Sequence, residues 1–317
     1  MVRKIEPHLY IAENMTSRER DKASGLTFET QFGKPVAVCI QSSNIKKCIA
    51  YMKEHALENV IINSEHNYKL QHLDFLKENT FITSVEIETD IADCSALNFL
   101  CGLRNLALHY SENVVDFSNF SKLANLNLTW NKNFINITKC SRLKELALWE
   151  YPDKNLLFIK AFPKLEELNI SNSKIQDLDG IGYCKKLKRL TLRRNRNLES
   201  IDSLTKTGKT MVELVIIGSK KLTNYNPVGK SINLKSLYLL DCGAAPDVNF
   251  VKNLNVLDCG SFNIDIADGQ VSALLKRPII FKNHKHFTHK NNLRFKMNSE
   301  GKFELARTTS GRILCGN

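Results

Sequence analysis

No stretch of this 317-residue chain stays apolar for the roughly 18 residues that a membrane-crossing helix needs, which argues against membrane insertion. The opening residues, Met1-Val-Arg-Lys-Ile-Glu-Pro-His8, lack the apolar segment of a secretory signal. A cytoplasmic location is therefore expected, unless a secretion system that needs no such signal exports the protein. None of the nine cysteines forms a CxxC pair, and the odd count suits free thiols in a reducing compartment. Several stand where a small apolar residue is expected, so they read as buried packing groups. Cys259 is read as the last inward residue of a strand, and Cys140 and Cys184 fall in connecting segments.

Catalytic and cofactor motifs are also missing. Thr205-Lys-Thr-Gly-Lys-Thr210 echoes the end of a phosphate-binding loop, but Ser203 stands where its first glycine belongs and a strand, not a helix, should follow. His284, His286 and His289 have no nearby carboxylate or cysteine, and on a strand only the first two share a face. Asn263-Ile-Asp-Ile-Ala-Asp-Gly269 misses the calcium-loop spacing by one residue. No nucleophile has a base beside it. The expectation is a protein without catalysis, metal or cofactor.

What is present is a phrase written ten times: an apolar residue, two others, Leu, one other, then Leu or Ile. Leu103-x-x-Leu106-x-Leu108, Leu123-x-x-Leu126-x-Leu128, Leu143-x-x-Leu146-x-Leu148, Leu165-x-x-Leu168-x-Ile170 and Leu187-x-x-Leu190-x-Leu192 are its clearest copies. Weaker copies begin at Leu57, Ile82, Met211, Leu234 and Leu254, and successive starts lie 20 to 25 residues apart. That period belongs to an α/β leucine-rich repeat solenoid, with one parallel strand and one return segment per turn. Strands are expected near residues 60, 85, 106, 126, 146, 168, 190, 214, 237 and 257. Residues 1, 4 and 6 of each phrase should point inwards, while 2, 3, 5, 7 and 8 lie on or beside the open sheet face.

The copies at 103, 123, 143, 165 and 187 resemble those of bacterial leucine-rich repeat proteins of the internalin-like, short-repeat kind, over residues 57–281. The resemblance implies a surface for binding protein and says nothing of the partner. It also implies an Asn at residue 9, bonding the backbone of adjacent turns. Asn131 and Asn195 match; Asp90, Ser111, Ser173 and Ser219 are polar substitutes; Tyr151, Cys242 and Phe262 depart. Turns this short leave little room for helices, because strands stack about 4.8 Å apart and packed helices need 8–10 Å. Short helical turns or extended segments should connect the strands.

Three segments follow: an N-terminal cap over 1–56, the solenoid over 57–281, and a basic cap or tail over 282–317. In the first, Leu26–Phe32 and Pro35–Ile40 read as strands, and Ser43 as the N-cap of a helix carrying Ile45, Cys48, Ile49 and Met52 on one face. Arg18–Lys22 reads as a solvated loop. In the last, Pro278–Phe281 reads as a strand, and Leu293–Met297 and Lys302–Ala306 as a hairpin. From Lys276 onward the chain holds ten basic residues and two glutamates, a net of +8 that leaves +4 for the 275 residues before it.

The candidate partner-binding residues lie at the strand exits and on the sheet face. His109, Tyr110, Trp130, Trp149 and Tyr151 come first; Arg189, Arg193 and Arg194 follow, then Ile217, Tyr238 and Leu240. Aromatics and arginine are enriched at binding hot spots, and the two tryptophans are the chain's full complement. The expected partner is a protein, acidic where it meets Arg189, Arg193 and Arg194, with inhibition or immunity as one version of the role. The alternative is nucleic acid or an anionic surface, bound through the basic tail and the Arg189–Arg196 cluster.

Overall fold

Alternating inward leucines can be buried only if each turn lays its strand beside the next, and the computed structural model shows that arrangement. It describes residues 16–20, 27–31, 34–268, 279–281, 293–297 and 303–307. The chain divides into two units, residues 1–148 and 149–317.

The first unit begins with β1 (Thr16–Arg20), β2 (Thr27–Gln31) and β3 (Lys34–Cys39), paired antiparallel in order. The charge run at Arg18, expected as a loop, lies partly within β1, whose edge pairing with β2 outweighs its polar composition. Helix α1 (Ile45–Glu54) buries Cys48, Ile49 and Met52, as their spacing requires. Its N-cap is Asn44 and not Ser43, because Ser42–Asn44 first form a 3-10 turn. Then come β4 (Asn59–Ile62), β5 (Ser84–Ile87), β6 (Asn105–Leu108), a two-residue β7 (Val115–Asp116), β8 (Asn125–Thr129), a two-residue β9 (Phe134–Ile135) and β10 (Glu145–Trp149). From β3 to β8 the main sheet is parallel, in chain order; β7 pairs with β9 outside it.

The second unit continues with β11 (Glu167–Ser171), β12 (Arg189–Arg193), β13 (Glu213–Ile217), β14 (Ser236–Leu240), β15 (Cys259–Asn263) and β16 (Ile279–Phe281), all parallel and again in chain order. Leu168, Leu190, Leu214 and Leu237 face one another across it, each 0% exposed. Strands β17 (Leu293–Met297) and β18 (Phe303–Arg307) form the antiparallel hairpin read from sequence. Apart from the short β7–β9 pairing, the return segments in the described solenoid turns are 3-10 or irregular, which is the short connection that 4.8 Å strand spacing permits.

The last turn sits three residues later than expected. Leu257, not Leu254, opens its phrase, and the strand is Cys259–Asn263, because Leu237 pairs with Gly260 and Leu239 with Phe262. Gly260 occupies a leucine slot and hid the true frame. A Cβ added there would lie 2.8 Å from the Leu237 carbonyl oxygen. Cys259 is therefore a half-exposed face residue and not an inward one, and Phe262 is core, leaving Asp265 at residue 9.

Cys39, Cys48, Cys94, Cys140, Cys184 and Cys242 are buried packing groups, whereas Cys101 is exposed. Cys140 and Cys184 are buried in return segments and aim their thiols at the carbonyls of Phe117 and Ile159. Burial pushes the Cys140 thiol up to about 12 and that of Cys184 to about 11, so neither is a nucleophile near neutral pH. The phosphate-loop echo is also packing: a Cβ on Gly208 would lie 2.3 Å from the Lys230 carbonyl oxygen in the next turn. No group of three metal-binding side chains is found among the described residues, and His284, His286 and His289 lie outside them. Among the described residues, no helix is long and apolar enough to cross a membrane.

Candidate protein-binding face

In the first unit the face is carried by β4, β5, β6, β8 and β10 up to Leu148, with Trp149 at the end of β10 belonging to the second unit; residues 3, 5 and 7 of each phrase alternate with the buried apolar positions. Asn125 donates to Asn105 across the sheet at 2.8 Å, an amide pair at residue 3. At residue 7, His109 Nδ1 lies 2.9 Å from Thr129 Oγ1, half-buried, and burial lowers its pKa below the ordinary histidine value. Tyr110 is 39% exposed and donates to Glu112. Trp130 is half-buried in the next turn and does not belong to the core. The structure thus brings His109, Tyr110 and Trp130 to adjacent strand exits.

In the second unit the chain leaves β10, β11, β12, β13 and β14 in the same way. Glu150, Asn172, Arg194, Gly218 and Asp241, all at residue 8, take positive φ between 50° and 72°. The N–H groups of the first four reach the next turn, as in Asn172 to the Arg193 carbonyl (2.9 Å) and Gly218 to that of Leu240 (2.8 Å). Asn, Gly and Asp tolerate this conformation readily, and that recurring choice was a readable signal for where the strands stop. Arg194 is exposed but leaves the extended strand that carries Arg193.

Two sequence-expected contacts are withdrawn from the surface. Tyr151 is 1% exposed: its ring lies 4.6 Å from that of Phe158 and its hydroxyl donates to Asp153. As residue 9 it points back under the sheet, where an aromatic fills the space a smaller residue leaves in other turns. Leu240 is 8% exposed beside Ile217 in the residue-7 column. Trp149, at 36% exposure, stays on the face.

Arg189 also departs from expectation. Its Nε donates to Glu167 Oε2 at 2.7 Å on the neighbouring strand, and Glu213 stands opposite it on the other side. The column Glu167–Arg189–Glu213 therefore uses the guanidinium internally and offers no free cation to an acidic partner. Burial holds the Glu213 carboxyl above the usual carboxylate range, against the pull of Arg189. A raised folded pKa means that the folded state takes up a proton first as pH falls. This group's contribution to stability thus improves on acidification and is unfavourable at neutral pH. Glu213→Gln is expected to melt higher than the parent at neutral pH, the gap narrowing in acid. A glutamine variant that melts lower at neutral pH would show that Arg189 needs both carboxylates.

Arg193 is different. It is half-buried at residue 7 between Ser171 and Ile217, and its Nε is buried without a hydrogen-bond partner among the described residues. Around it, Asn169, Thr191 and Tyr238 are half-exposed at residue 5, and Ser171 is small and covered. Tyr238 lies 3.4 Å from the Cys259 sulfur through its hydroxyl. Asn169 and Thr191 were not singled out from sequence, though the same offset within the phrase locates them.

Residues 163–206 match the family model described as leucine rich repeats, two copies. No curated protein sequence matches the chain. Among solved structures it is similar to the functional domain of InlJ from Listeria monocytogenes, at 13% identity and TM-score 0.48, over 79% of this chain and 66% of that one. It thus spans just under two thirds of that domain. It is also similar to the internalin InlF of Listeria monocytogenes, at 18% and 0.35, over 72% and 86%. A third is the ectodomain of the Arabidopsis thaliana receptor kinase GASSHO1/SCHENGEN3, at 12% and 0.43, over 78% and 38%. The match over residues 163–206 and the repeat register show a leucine-rich repeat fold.

Proposed function

We propose that this leucine-rich repeat protein is a non-catalytic cytoplasmic binder that grips another protein on its open sheet face, masking it as an inhibitor or immunity-type protein does. The fold commonly serves as a protein-binding module, and a non-catalytic role is general among proteins built on it. The observation that carries the reading is Arg193. A buried N–H without an acceptor costs about 1–3 kcal/mol, and a carboxylate laid on the face would remove that cost through a charge-assisted bond. Trp149 adds exposed aromatic area to the face of the same unit. The acidic patch of the partner is then read by Arg193 and Arg194, without Arg189.

The test is capture of the partner from source cells, followed by affinity measurement on variants. Trp149→Ala and Arg193→Glu are each expected to weaken binding by more than about 1 kcal/mol while melting like the parent. Full affinity in both variants would end the sheet-face reading. Binding of nucleic acid through the basic tail and the Arg189–Arg196 cluster predicts instead a steep loss of affinity with salt, which Trp149→Ala leaves in place and Arg193→Glu, within that cluster, makes shallower.

A further inference from the structure

The +4 charge of the chain before Lys276 conceals a strong separation that only the fold makes visible. In the second unit, the residues that lead from each return segment into the next strand fall in five windows: 160–166, 182–188, 206–212, 229–235 and 252–258. Together these windows hold ten lysines, no arginine, and two carboxylates, Glu166 and Asp258. The rest of 149–268 holds eight basic and twelve acidic residues. Consecutive windows are stacked by backbone bonds, Lys188 N to Glu166 O, Val212 N to Lys188 O, Lys235 N to Val212 O and Asp258 N to Lys235 O, all 2.7–2.8 Å. One rim of the sheet is therefore a continuous lysine-rich band about 20 Å long at the spacing of parallel strands.

The same band carries exposed apolar groups. Of the large hydrophobics exposed in this unit, Tyr183 (59%), Ile232 (49%) and Val256 (45%) lie inside the windows, and Leu157 (47%) lies just before the first. Among the described residues the lysines are largely unneutralised. Lys188 pairs with Glu166 at 2.8 Å, whereas Lys185, Lys186 and Lys209 are exposed and have no carboxylate partner.

We infer that this strand-entry rim docks on an anionic lipid surface. Lysine is a hydrated point charge that senses potential without the bidentate geometry with which arginine reads phosphate or carboxylate shape. Aliphatic side chains and one tyrosine set among lysines match a bilayer interface, where apolar groups enter the headgroup boundary and cations meet acidic lipids. A single-stranded nucleic acid would instead call for several aromatic platforms, and Tyr183 is the one exposed ring in the windows. The rim is a different surface from the sheet face, so a membrane-docked molecule would still present that face to a partner.

Flotation of the full chain with vesicles tests this. Vesicles of phosphatidylcholine mixed with phosphatidylserine are expected to carry the protein, and phosphatidylcholine alone to leave it behind. K185E/K186E/K209E should lower partitioning by about 100-fold or more, at roughly fivefold per lysine removed. I232S/V256S should lower it several-fold and leave salt sensitivity intact, and about 1 M salt should abolish binding by the parent. All variants should melt like the parent, which separates lost docking from lost folding. The inference is overturned if phosphatidylserine has no effect, or if the rim variants float like the parent while K282Q/K285Q/K290Q in the basic tail does not. It is equally overturned if the rim binds a single-stranded oligonucleotide and not the vesicles. None of these outcomes depends on Trp149 or Arg193, so the sheet-face proposal stands or falls separately.

Discussion

Truncating Leu190 to alanine is expected to cost about 2–5 kcal/mol, among the largest effects available to a single substitution here. The side chain is 0% exposed and sits in register between Leu168 and Leu214, both also 0% exposed. A solenoid packs each turn only on its neighbours, so the vacancy has leucines of fixed backbones on either side and little freedom to collapse. Denaturant unfolding followed by circular dichroism would show an earlier transition. Thr191→Ala, on the opposite face of the same strand and half-exposed, should shift it far less. Equal stability of Leu190→Ala and the parent would mean that the assigned inward register is wrong.

The second large effect is expected from a polar residue. Asn195 is 0% exposed; its amide donates to the Ile170 carbonyl at 2.9 Å and accepts from the Ser173 N–H at 3.0 Å. Both partners belong to the preceding turn, Ile170 within β11 and Ser173 just past it, so one side chain joins two turns at the end of the strands. Asn195→Ala strands a buried acceptor and a buried donor, at about 1–3 kcal/mol each, for a total of roughly 2–4 kcal/mol once relaxation is allowed. Asn195→Asp should be no better, since a carboxylate can still accept from Ser173 but would face the Ile170 carbonyl. Asn131 occupies the same place in the first unit but is half-exposed, with one bond to Ser111 and one from Asn133. Its alanine variant should lose about half as much or less, because water can replace what is removed. Comparable losses at the two positions would contradict the role assigned to burial.

The sequence by itself determined the repeat, the parallel order of the strands and the inward residues of the clear turns. The reason is that Leu at positions 1, 4 and 6 has no other way to leave water in a 20- to 25-residue period. It also determined the apolar face of α1 and the packing role of Cys140 and Cys184, since each follows from local spacing. Tertiary structure decided whatever depended on residues one turn away. Gly260 accepts a leucine's place because the Leu237 carbonyl crowds it, and nothing within its own turn announces that. Arg189 looked free beside its sequence neighbours, yet Glu167, 22 residues earlier, lies within hydrogen-bonding distance once the strands pair. Tyr151 sat among exposed aromatics in the chain and lies under the sheet in the fold, against Phe158. The lysine rim is the largest case. Net charge summed along a chain averages the two edges of every turn, and only stacking the turns places all their entries on one side and all their exits on the other.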